Sequence, residues 1–124
     1  MAVAGTVERT SVTLRDSVQA VGRRAAGIQK RAEDKNNEGV KLVCRQISIR
    51  LQPIPAIVTE VAEAENEIDI WNAHKERTVG NEKEQKETDE KIAKLRRKID
   101  EGKNKVETAL KQVSPLLDGA EKKL

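Results

Sequence analysis

Residues 50–69 read RLQPIPAIVTEVAEAENEID. Leu51, Ile54, Val58, Val61 and Ile68 recur at helical spacing, so a single apolar stripe runs through the stretch. Pro53 and Pro55 interrupt it. Pro53 removes the hydrogen bond to the carbonyl of Ile49, Pro55 removes the one to Leu51, and each ring crowds the carbonyl it fails to meet. An undisturbed helix is excluded. The spacing predicts a sharp kink or short break between Arg50 and Ala56, with both arms still facing one core. A break at Pro53 and Pro55 makes four helices in the chain, whereas a kink leaves three.

Outward from this point the same stripe continues in both directions. Upstream it holds Val40, Val43 and Ile47 and begins after a turn-rich break, AEDKNNEG at 32–39. Before that break, Val3, Val7, Ser11, Leu14, Val18, Val21, Ala25, Ile28 and Ala32 alternate steps of three and four, the spacing of an amphipathic seam. Downstream, TVGN at 78–81 is a second break. The chain from Asn81 to Lys91 is almost wholly charged and reads as a solvated helix with pairs such as Glu82–Lys86 and Glu87–Lys91, or as a partly ordered loop. The seam restarts at Ile92 and runs through Leu95, Ile99, Gly102, Val106, Ala109, Val113, Leu116, Ala120 and Leu124, with the helix ending near Val113 or bending at Pro115. The expected helices are 3–33, 39–52, 55–77 and 82–113. No strand pattern competes.

Narrow apolar faces of this kind are unstable alone in water and must pack side by side. The fold class is therefore all-α, an up-and-down helical bundle filling 1–124 as one domain. Its core is expected at Leu51, Ile54, Val58, Val61, Ile92, Leu95, Ile99, Val106 and Val113. With one Trp and no Phe or Tyr, that core is aliphatic, which suits helix packing and not a deep ligand pocket.

Composition narrows function. The formal net charge is +3, too mild to argue for nucleic acid, and aromatic stacking platforms are missing. Cys44 stands alone and reads as a small core residue; His74 is also alone. Neither a zinc set nor a Cys/His nucleophile pair has a constellation, and no phosphate-cradling glycine motif occurs. Glu60, Glu63, Glu65 and Glu67 read as a solvated face. The chain reads as a non-enzyme without cofactors, placed in the cytoplasm or peripherally on the plasma membrane. Residues 3–32 also have the Arg-rich amphipathic character of a mitochondrial transit peptide, against which Glu8 and Asp16 count.

Two stretches, RQISIRLQPIPAIVTEVAEAENEID (45–69) and LRRKIDEGKNKVETALKQVS (95–114), together carry a resemblance. The first sets spaced apolar residues before a leucine, a proline and an apolar-acidic run. The second follows a basic helix with Gly102 and then Val106 through Ser114. Both resemble the plant broad-spectrum powdery-mildew-resistance domain at the head of helper-class immune receptors. That family is itself similar to fungal HeLo domains and to the four-helix bundle of mixed-lineage-kinase-like pseudokinases. The resemblance spans most of residues 10–118 and implies a cell-death or immune-signalling bundle that oligomerises and permeabilises membranes. On that reading Val3, Val7, Leu14, Val18 and Val21 enter the acyl boundary, while Arg15, Arg23 and Arg24 meet anionic headgroups. The same face also reads as bundle core. The alternative function is a helical scaffold or adaptor subunit that assembles through amphipathic helices, with copies of itself or with a helical partner.

Overall fold

A computed structural model describes residues 9–124. The order is α1 Thr10–Asp34, α2 Glu38–Leu51, α3 Ile54–Arg77 and α4 Glu82–Lys122, with no strand among the described residues. The all-α bundle is as the periodicity demands.

The proline pair is resolved in a particular way. α2 stops at Leu51 and α3 starts at Ile54, so only Gln52 and Pro53 lie between them. Both keep near-helical backbone angles, and Pro53 is the N-terminal boundary residue of α3. Pro55 falls in the first turn, where its missing N–H has no intrahelical acceptor to lose. The break is thus shorter than Arg50–Ala56. The chain bends without reversing, and α2 and α3 touch each other only slightly. Four helices make three rods: α1, the bent α2–α3, and α4.

α1 and α4 run parallel, with α2–α3 antiparallel between them. At one end Leu14 meets Ile54, Val61 and Val106; at the other Ile28 and Ala32 meet Val40, Cys44, Ile47, Val113, Leu117 and Ala120. Leu51, half-buried at the bend, packs against both clusters. Of the expected core, Ile54, Val61, Ile92, Val106 and Val113 are buried, whereas Leu51, Val58, Leu95 and Ile99 are half-buried. Three rods enclose only a narrow interior, so residues beside the seam axis keep one edge in water.

Two helix ends differ from expectation. α4 does not stop near Val113 but runs through Pro115 to Lys122. The lost Pro115 hydrogen bond is outweighed by packing beyond it, where Leu117 and Ala120 are buried against α1 and α2. α1 begins at Thr10 among the described residues; Val3 and Val7 lie outside them. The Glu82–Lys86 and Glu87–Lys91 pairs do not form. The charged start of α4 is helical nonetheless, capped by Asn81, whose Oδ1 accepts the Glu84 N–H at 3.2 Å. At 41 residues α4 is about 60 Å long, against about 37 Å for the 25 residues of α1, so the α3–α4 hairpin projects past the start of α1.

Candidate functional site

The apolar stripe of α1 is spent inside the bundle. Leu14 is 4% exposed, and Val18 and Val21 are half-buried against the two clusters. In the packed bundle these three side chains lie toward the interior, the core placement that the sequence also offered for this face. Their spacing matches the seams of the other rods, and apolar packing there claims them first.

The basic residues divide. Arg24 turns back to α4, donating to Asp118 at 2.6 Å and to Glu121. Those two hydrogen bonds raise its already high pKa further. Arg24 is therefore a cross-bundle tie and not a free headgroup contact. Arg15 lies 3.8 Å from its own neighbour Asp16, and Arg23 has no acid within ion-pairing distance among the described residues. Both are exposed, opposite the buried stripe.

Helix ends are tied by side chains from other rods. Arg9 offers α1 no side-chain cap. Glu65 of α3 supplies it instead, accepting the backbone N–H groups of Thr10 at 2.9 Å and Ser11 at 3.2 Å. Arg9 binds Asn66 and Asp69 beside it. Glu65 is thus not part of a merely solvated acidic face. No local signal marks it, because the helix it caps is 54 or more residues away in sequence. At the opposite end Lys35 and Asn37 donate to the carbonyls just past the end of α4, Leu124 at 2.6 Å and Lys123 at 3.1 Å. At the hairpin tip Gln85 donates to the Lys75 carbonyl at 2.8 Å, His74 and Glu84 meet at 3.2 Å, and Lys91 lies 4.1 Å over the Trp71 ring.

Between α1 and α2, on the side away from α4, an open groove of about 560 Å³ runs along the surface. Gly22, Ala25, Ala26 and Gln29 form its α1 wall, and the other wall includes Ile47, Ser48, Leu51 and Gln52. A methyl group added at Gly22 would meet nothing within 4 Å. Beside the groove α2 exposes Leu42, 56% accessible, and Ile49, 68% accessible, two turns apart on one face. Their signal was present in the sequence: both are apolar yet off the seam through Val43, Ile47 and Leu51.

Chemistry-bearing groups do not converge elsewhere. Among the described residues no three His, Cys, Asp or Glu side chains are grouped to hold a metal ion. Cys44 is buried, and burial together with the charge of Glu33 pushes its thiol pKa up, away from the reactive thiolate. No described helix is long and apolar enough to cross a membrane. No family model matches the sequence, and no curated protein or solved structure matches it.

Proposed function

We propose that this chain is a helical scaffold module, a bundle that acts by binding other helices through the outer faces of α1 and α2 and not by catalysis. The observation that carries this is the exposed apolar pair Leu42 and Ile49, two turns apart on one face of α2, with Ile49 also lining the groove beside α1. Scattered exposed apolar side chains are ordinary, but two aligned on one helix face at the edge of a groove have the character of an interface. Both are partly covered already, so burying them contributes less than about 1.5–3 kcal/mol each, and assembly draws on the groove as well. The direct test is sedimentation velocity over a concentration series. The wild type is expected to associate as concentration rises, and Leu42→Asp with Ile49→Asp is expected to abolish this with an unchanged melting curve. A strictly monomeric wild type, or association indifferent to the double substitution, would refute the reading.

A second reading is membrane action in an immune or cell-death pathway, as the powdery-mildew-resistance resemblance implies. It is favoured by the exposed row Arg15, Arg23 and Lys30 along α1. Contact through that row alone contributes about 1 kcal/mol per basic residue at an anionic surface. Co-sedimentation with anionic but not neutral vesicles, lost in Arg15→Glu with Arg23→Glu, is its expected signature. Absence of both binding and dye leakage would exclude it.

A further inference from the structure

We infer that the groove between α1 and α2 receives an acidic amphipathic helix from a partner protein. This rests on the scaffold reading and names the occupant of its apolar surface.

Shape selects a helix. The floor is recessed between two rods, and Gly22 and Ala26, one turn apart, lower the α1 wall along its length. Facing them, Ile47 and Leu51 lie one turn apart, as do Ser48 and Gln52. A third rod can lie along such a cleft at ordinary interaxial distance, its ridge of side chains entering between the two walls. A flat bilayer cannot reach a floor set below flanking charged side chains.

Charge selects the sign. Arg23 lies three residues before Ala26 and Lys30 four after it, so both stand on the outer rim of the α1 wall. Arg45, three before Ser48, stands on the α2 rim. All three are exposed and have no acid within ion-pairing distance among the described residues. Of the acids nearby, Glu38 pairs with Lys41 at 3.1 Å, which leaves Glu33, one turn from Gln29, against the three cations of the rims. A largely apolar floor, with Gln29, Ser48 and Gln52 along it and cationic rims on both sides, is complementary to a helix whose apolar stripe is flanked by Glu and Asp. The apolar contact supplies affinity, and the rim pairs supply selectivity and encounter rate.

The probe is a helix-stapled peptide copying residues 56–73 of this chain, an apolar stripe with Glu60, Glu63, Glu65, Glu67 and Asp69 and no basic residue. It is titrated into the ¹⁵N-labelled full chain beside the same peptide with those acids replaced by lysine, and beside phosphatidylserine vesicles. The acidic peptide is expected to shift the amides of Gly22, Ala26, Ser48 and Ile49 and to bind at least tenfold tighter than the lysine form. Arg23→Glu with Arg45→Glu is expected to erase that tenfold preference, with melting unchanged. A second variant, Ala26→Trp, fills the exposed groove and is expected to stop binding of both peptides. Equal binding of the two peptides overturns the acidic partner, as do shifts confined to other surfaces. Perturbation of the same amides by vesicles and not by peptide overturns it in favour of a bilayer. If neither peptide binds while the Leu42→Asp, Ile49→Asp variant still loses self-association, the scaffold reading stands and this occupant is wrong.

Discussion

Gly102→Ala tests the closest approach in the bundle. Gly102 is buried on α4 against α3, and a methyl group built there would lie 2.6 Å from Val61 Cγ2 and 3.5 Å from Ile57 Cγ2. Carbon atoms in favourable contact lie about 3.5–4.0 Å apart, so the first contact falls short by about 1 Å. Val61 cannot swing away at low cost. It is β-branched and held near one rotamer in a helix, and it is buried with Leu14, Ile54 and Val106 around it. Either α3 and α4 separate or Val61 leaves its rotamer, at a cost of roughly 1–3 kcal/mol for overpacking. Against this, alanine recovers about 1 kcal/mol of helix propensity. The net expectation is a loss of about 0–2 kcal/mol. The internal standard is Gly27→Ala, at an exposed helical position with nothing within 4 Å of the new methyl, where the propensity gain stands alone. Urea unfolding followed by circular dichroism is expected to place the two variants about 1–3 kcal/mol apart, Gly27→Ala above wild type and Gly102→Ala at or below it. Adding Val61→Ala should relieve the clash, so the double variant loses less than the sum of the singles. Equal stabilisation by both glycine replacements would refute the close-packed α3–α4 contact.

Other expectations follow from the helix ends and the core. Glu65→Ala should cost about 0.5–2 kcal/mol as the cap of α1 is lost, and amide exchange should accelerate first at Thr10 and Ser11. Pro115→Ala should stabilise by up to about 3 kcal/mol, because Pro115 is exposed and interrupts an otherwise continuous helix; a loss would show that α4 ends before it. Cys44 gives a pH dependence. Its thiol pKa is raised in the folded chain, above about 8.5 when unfolded, so the folded state keeps the proton longer. Its contribution to stability is full below the unfolded value and is lost as pH rises through the folded one. The urea midpoint of wild type should therefore fall more steeply than that of Cys44→Ala above about pH 8.5, and parallel curves would contradict the burial of Cys44.

Much of the fold was legible because burial here is periodic. Leu14, Ile28, Ile47, Ile54, Val61, Val106 and Val113 lie on seams countable in steps of three and four, and all are buried. Asn37 and Asn81 cap the helices that follow the turn-rich breaks. What periodicity could not supply is how many rods share the interior. With three, Leu95 and Ile99 lose the fourth neighbour that would cover them. Pro115 misled for a related reason: the seam was counted past it to Ala120, but the local penalty was set above the packing there, where Leu117 and Ala120 are buried. The groove was half legible. Leu42 and Ile49 fell off the seam in plain view, but only the side-by-side placement of α1 and α2 joins them to Gly22 and Ala26. Glu65 and Arg24 were misread because their partners are distant in sequence, and a charged side chain carries no mark of whom it will meet.

The two functional readings make different demands on α1, and the magnitudes separate them. Leu14 and Ile28 are buried, so freeing α1 forfeits roughly 3–6 kcal/mol from them together, besides the half-buried Val18 and Val21. The Glu65 cap adds about 1 kcal/mol. A domain this small has only about 5–15 kcal/mol of stability in total, so releasing α1 amounts to unfolding the bundle. An anionic surface returns about 4 kcal/mol through Arg15, Arg23, Lys30 and Arg31, less than the sum forfeited. On the membrane reading, charge alone would adsorb the intact bundle by the outer face of α1, and only re-burial of Leu14, Val18, Val21 and Ile28 among acyl chains could balance their exposure. Vesicles that bind the protein without insertion should leave the protection of the α1 amides unchanged. Insertion should abolish that protection from Thr10 to Asp34 together, because the three rods share the clusters that hold them. A partial loss confined to one end of α1 would show that the two clusters unfold separately and that the comparison of whole-helix energies does not apply.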